Sequence, residues 1–221
     1  MPSHKEPLAR RVAGGYCQKR VESEWLAGFR CVEPKKRFNN MYGVIFHFLR
    51  NYVIDNHGGK DTWRALLTAT GHKVDKFNPI TEYPDSDVVA LAKTASEMLK
   101  LPVATVLEDF GAYTGKQLVT FYKMYVKPDW KTFEVIENAG SSIHHSINHY
   151  NETRKPPHVE AKRISDEQLV IRYVSNRKLC HVVRGIVRGL GEHYGERFSI
   201  KETECMHSGH PHCIIVVQRL A

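Results

Sequence analysis

The strongest constraint in this chain is a change of hydrophobic rhythm around Pro156-Pro157. Before it, apolar residues recur at helical spacing. Val44, Ile45, Phe48, Leu49, Tyr52 and Val53 form one stripe, which "HGG" at 57–59 ends. Asp61 is placed to cap a second helix carrying Trp63, Leu66 and Leu67. "YPDSDVVALAKTASEMLKLP" gives a third, with Asp85 or Ser86 near its start and Pro102 just past its end. "VATVLEDFGAYTGKQLVTFYKMY" reads as a helix interrupted by glycine, and "DWKTFEVIENAGSSIHHSINHY" as the last helix of this half. The prolines of "NETRKPPH" cannot continue that helix. Beyond them "EQLVIRYVS" reads as a strand, "KLCHVVRGIVRGLGEHYG" as a helix, and "FSIKETEC" and "CIIVVQR" as two further strands joined by "MHSGHPH". Helices first, then strands around one helix, predict an α+β fold: a helical N-terminal half packed on a C-terminal antiparallel sheet with helices.

At 221 residues the chain suits one domain with a substantial core. No apolar run approaches the roughly 18 residues of a membrane span, and the N-terminus lacks the apolar stretch of a secretory signal. Five cysteines, two of them far from the rest, make a poor disulfide framework, so a cytoplasmic setting is expected. Net charge is +8, and residues 1–40 supply most of it while lacking sustained periodicity. They read as a basic, disordered extension, which leaves 41–221 as the folded domain. Because the remainder is nearly balanced in charge, no nucleic-acid partner is expected.

Three groups of residues carry chemistry. Tyr173, Ser175 and Arg177 follow Leu169 and Ile171 in steps of two, and an extended chain turns such residues to one face. An apolar row ending in a phenol, a hydroxyl and a guanidinium suits a ligand with an apolar body and carboxylate oxygens. The plainer alternative is a surface strand end. In "IHHSINH", His144 and His145 point about 100° apart on a helix, so at most one shares the core side with Phe133, Ile136 and Ile147. An imidazole there is either a metal ligand or a solvated helix-end histidine. Cys180, Cys205 and Cys213, with His207, His210 and His212 between the last two, read either as a zinc site or as buried free thiols beside surface histidines.

Together these residues resemble the haem–nitric oxide/oxygen binding (H-NOX) family, related to the haem domain of soluble guanylate cyclase. The resemblance runs from "MYGVIFHFLRNYV" at residue 41 to the C-terminus. The family's Tyr-x-Ser-x-Arg motif, which holds the haem propionates, reads Tyr173, Ser175 and Arg177. Its proximal histidine precedes a Pro-Pro by a fixed distance; His144, twelve residues before Pro156, fits that register and His145 misses it by one. The resemblance implies haem b between the two halves, its iron held by His144, with Pro157, Ile45, Leu49, Thr114 and Val182 also around it. Oxygen-binding members carry a distal tyrosine where this chain has Val182. Ile45 and Leu49 are apolar as well, and Thr114 is the one mildly polar neighbour, which points to nitric oxide rather than dioxygen. Some bacterial members hold zinc far from the haem through three cysteines and a histidine. Cys180, Cys205 and Cys213 match; the fourth position is Glu202, so Glu202 or one of His207, His210 and His212 completes the set.

The protein these resemblances imply is a stand-alone bacterial gas sensor and not an enzyme. Nitric oxide at a five-coordinate ferrous haem would weaken the iron–His144 bond and free its helix to shift. The signal would pass in trans to a partner such as a histidine kinase or a cyclic-di-GMP enzyme. The rival is a haem-free domain of the related vinyl reductase type, binding an apolar carboxylate or serving as a zinc-stabilised interaction module without need of His144.

Overall fold

The computed structural model describes residues 40–73, 75–139 and 157–221. A short strand, β1 (Asn40–Tyr42), pairs antiparallel with β2 (Glu82–Pro84) and brings the start of the first helix beside the third. At three residues each, these strands are too short to leave a period in the sequence. Helix α1 (Gly43–Asn56) buries Val44, Phe48, Leu49, Tyr52 and Val53 as expected, and Phe46 besides, while Ile45 is half-buried. Helix α2 (Gly59–Ala69) starts two residues before Asp61 and is capped by Gly58 at φ 86°. Asp61 therefore lies in the first turn, where its charge favours the helix dipole, and caps nothing. Helix α3 (Asp85–Leu99) places Asp85 in its first turn, and α4 (Val103–Phe121) follows directly after Pro102.

Helix α4 is continuous, so the glycine interruption read from the sequence does not exist. Gly111 and Gly115 instead face Gly185 and Gly189 of the helix α6 (Cys180–Tyr194). A Cβ on Gly115 would stand 2.5 Å from the Ile186 carbonyl oxygen, and one on Gly189 would strike the Ala112 carbonyl. Four glycines let two helix backbones touch, which no larger residue permits.

Helix α5 (Thr132–Asn138) buries Phe133, Val135 and Ile136. The C-terminal sheet has four antiparallel strands, β3 (His158–Ser165), β4 (Gln168–Val174), β5 (Phe198–Glu204) and β6 (Cys213–Arg219), in the order β3-β4-β6-β5. The sequence pattern missed β3. It is an edge strand, half-buried for most of its length, whose alternation is limited to Val159 and Ala161 against Glu160 and Lys162 before Arg163 ends it. Arg163 ties this edge to α5 through Glu134 and Glu137, at 2.6 and 2.7 Å. One apolar cluster centres on α1, α2 and Trp63; a second joins α5, α6 and the inner face of β4 and β6. The architecture is α+β, as the segregated pattern requires.

Candidate functional site

Between the two clusters lies a cavity of about 300 Å³ with almost wholly apolar walls drawn from α1, α3, α4, α5, β4 and α6. Ile45 and Leu49 face it from α1, Thr114 from α4 and Val182 from α6, with Pro157 and Tyr173 on the sheet side. His144 lies outside the described residues, as do His145 and Pro156.

Strand β4 ends at Val174, which corrects the extended-chain reading of Ser175 and Arg177. Alternation holds for Leu169, Ile171 and Tyr173, all buried. Beyond them the chain turns: the Lys178 N–H donates to the Ser175 carbonyl at 3.1 Å, and the Arg177 N–H to Ser175 Oγ at 3.3 Å. The turn, and not the pleat, returns Arg177 to the cavity wall. Ser175 stays half-buried beside it and shapes the turn.

Tyr173 is 2% exposed, and its hydroxyl accepts the Leu179 N–H at 3.3 Å, tying β4 to the start of α6. Burial pushes its pKa up to about 12, so it remains a neutral donor. Arg177 donates from Nε to Asp85 Oδ1 at 2.7 Å and from Nη2 to the Asn40 carbonyl. Sequence reasoning missed Asp85 in this role, because its only local signal was that of a helix start. Nη1 makes no hydrogen bond among the described residues, so the guanidinium keeps donors for a further oxyanion. Thr114 is fully buried, and its Oγ1 has no partner among the described residues. The cavity thus offers apolar walls, one orphaned hydroxyl inside and a phenol–guanidinium pair at one edge. That set fits an apolar group with acidic oxygens on one side, as a haem has.

The second cluster is sulfur. Cys205 Sγ stands 3.7 Å from Cys180 Sγ and 3.9 Å from Cys213 Sγ, and one ligand atom each from these cysteines and Glu202 lie within 4.8 Å of one another. Four ligands at Zn–S distances of about 2.3 Å in a tetrahedron put their sulfurs roughly 3.8 Å apart. The thiols are free, far outside bonding distance for a disulfide. A hydrogen bond from Cys180 holds the Cys213 thiol below its ordinary pKa, while its counterpart Cys180 is pushed up by that bond and by burial. Glu202 Oε1 is buried without a partner among the described residues, beside a bulge in β5 between Glu202 and Glu204. The three histidines offered as fourth ligand stand otherwise. His210 and His212 face Glu204 at 3.7 and 2.8 Å, and His207 Nε2 meets the Lys178 carbonyl at 2.8 Å.

The thiol cluster and the cavity share a wall. Tyr173 lines the cavity and also packs in one buried cluster with Cys180, Met206 and Cys213. It is the cross-strand partner of Cys213.

A family model described as Haem-NO-binding matches residues 42–202. Over 161 residues the chain is 30% identical to soluble guanylate cyclase gcy-32 of Caenorhabditis elegans, a match covering 67% of this chain and 22% of that protein. The chain thus spans about a fifth of the curated relative it matches. Among solved structures, an H-NOX protein from S. oneidensis in the Fe(II)NO ligation state superposes with a TM-score of 0.76 at 23% identity, covering 82% of this chain and 100% of that one. The A71G mutant of an Fe(II) unliganded H-NOX protein from K. algicida gives 0.71 at 16% identity, covering 82% and 97%. At such identities these structures establish the fold alone.

Proposed function

The chain belongs to the Haem-NO-binding family of haem-based gas sensors, and from that premise we propose that it senses nitric oxide through haem b and signals in trans. When bound, haem supplies a ferrous iron that takes up a diatomic gas. His144 is the residue proposed to hold that iron, while Arg177, Tyr173 and Ser175 order the propionate edge. Arg177 supplies fixed charge, Tyr173 a neutral hydroxyl, and Ser175 the turn that presents them. Ile45, Leu49 and Val182 exclude water and offer no hydrogen-bond donor, which favours nitric oxide over dioxygen. The observation that carries the reading is the apolar cavity between the halves with Tyr173 and Arg177 together at its edge.

The thiol cluster is proposed to bind zinc through Cys180, Cys205, Cys213 and Glu202, on the strength of sulfur spacings that match a tetrahedron. No described helix is long and apolar enough to cross a membrane, and a cytoplasmic setting is proposed with it. The partner in trans is proposed to be a histidine kinase or a cyclic-di-GMP enzyme, which the family resemblance favours.

Visible absorption of the purified chain, with and without nitric oxide, tests the reading. A ferrous haem spectrum that changes on adding the gas is expected. Replacing His144 by Gly should empty the pocket or make haem binding depend on added imidazole, while His145→Ala should leave the spectrum intact. A chain that takes up no haem, or that loses it on His145→Ala and keeps it on His144→Ala, overturns the assignment.

A further inference from the structure

Beside the three-thiol cluster, a second group of donors converges on the same cysteine. One ligand atom each from Cys180, His181 and His207 lie within 4.8 Å of one another. The two imidazoles stack, with centroids 5.7 Å apart and planes 25° from parallel. Cys180 is fully buried, His181 is half-buried and His207 is exposed, so the group forms a short ladder from solvent to sulfur.

Two features show that this group is held in place. His207 Nε2 lies 2.8 Å from the Lys178 carbonyl. A carbonyl oxygen only accepts, so Nε2 carries the proton and Nδ1 the lone pair. That is the tautomer arrangement which backbone carbonyls impose on metal-binding histidines. Lys178 also takes a φ of 51°, rare for a residue with a side chain, and its Nζ donates to the Met206 carbonyl at 3.1 Å. The hairpin bearing His207 is therefore fastened at two points to the turn that leads into Cys180 and His181.

We propose that Cys180, His181 and His207 form an outer site for a second thiophilic metal ion, zinc or copper(I), with Cys180 as a thiolate shared with the inner site. One thiolate and two imidazoles are ligands of the type both ions accept. Metal–donor distances of about 2.0–2.3 Å need donors roughly 3.5 Å apart, inside the 4.8 Å limit within which these three lie. This site shares one ligand with the zinc site proposed above but does not depend on it.

The test is metal uptake by the full-length, haem-loaded chain, stripped and reloaded in buffered zinc or, anaerobically, in copper(I). Uptake of about two ions is expected in wild type, falling to about one in His181→Ala and in His207→Ala with the haem spectrum unchanged. Cys205→Ser disables the inner site and keeps Cys180; it should still take up about one ion, lost on adding His181→Ala. If only the inner reading is wrong, wild type takes up about one ion that requires both histidines and is indifferent to Cys205→Ser. The proposal is overturned by uptake that is unaffected by the His181 and His207 substitutions with either metal. Should Cys205→Ser not fold, the histidine variants in an otherwise native chain decide the matter alone.

Discussion

Arg177 serves both halves of the molecule at once, because Asp85 and the Asn40 carbonyl hold it from the N-terminal side while its chain belongs to the C-terminal turn. Its side chain is 14% exposed and that of Asp85 19%, so the pair is shielded enough to count. Arg177→Ala should lower haem retention by removing a charge-assisted partner worth about 1.5–3 kcal/mol, and should also destabilise the haem-free chain by stranding Asp85. Asp85→Asn should do the second with less of the first; haem off-rates and thermal melts of both variants check the pair. Haem affinity indifferent to Arg177→Ala would remove the propionate role. Thr114 is the other decisive side chain. With Val182, Ile45 and Leu49 offering no donor, ferrous protein in air is expected to form no lasting oxy complex. Thr114→Val, nearly isosteric, should leave that behaviour unchanged and stabilise the haem-free chain by about 1 kcal/mol, since it removes a buried hydroxyl without a partner among the described residues. A persistent oxy spectrum that disappears in Thr114→Val would make that hydroxyl a ligand contact instead. Tyr173 and Arg177 could be found in the sequence because they sit four residues apart in one motif. Asp85, 92 residues from Arg177, could not, since only the tertiary fold brings them together.

Among the elements, the joint between α4 and α6 depends on absent side chains. Glycine in a helix costs about 1 kcal/mol relative to alanine, so Gly189→Ala should stabilise an isolated α6. Here the added methyl would strike the Ala112 carbonyl, and main chain cannot rotate aside as a flexible side chain can. Gly189→Ala is therefore expected to destabilise the chain by about 1–3 kcal/mol, read as a lower thermal midpoint. A raised midpoint would mean that the helices part easily. The same joint shows why the sequence misled: glycine in a helical pattern carries equal signals for a break and for a close crossing. Helices α1, α3 and α6 were legible because each buries one stripe. Strand β3 was not, because it sets only Val159 and Ala161 against the core before Arg163, tied to α5, ends the alternation.

Across the whole molecule, the cavity and the thiol cluster meet at one residue. Tyr173 lines the first, pairs across the sheet with Cys213 of the second, and accepts the Leu179 N–H immediately before Cys180. A second tie runs from α4 through Glu108 to Arg184 at 2.8 Å, and Arg184 in turn lies 3.9 Å from Glu202. Metal in the inner site would clamp β5, β6 and the start of α6, and so fix the turn that presents Arg177. Metal at a hundred times its Kd contributes about 2.7 kcal/mol to the folded state, or about 5–11 °C in Tm for a chain of this size. Chelation, or Cys205→Ser, should lower Tm on that scale. Because Tyr173 belongs to both clusters, it should also shift the haem absorbance and speed haem loss. Metal removal that lowers Tm while leaving haem absorbance and off-rate untouched would show that Tyr173 transmits nothing, and that the two sites merely share a wall.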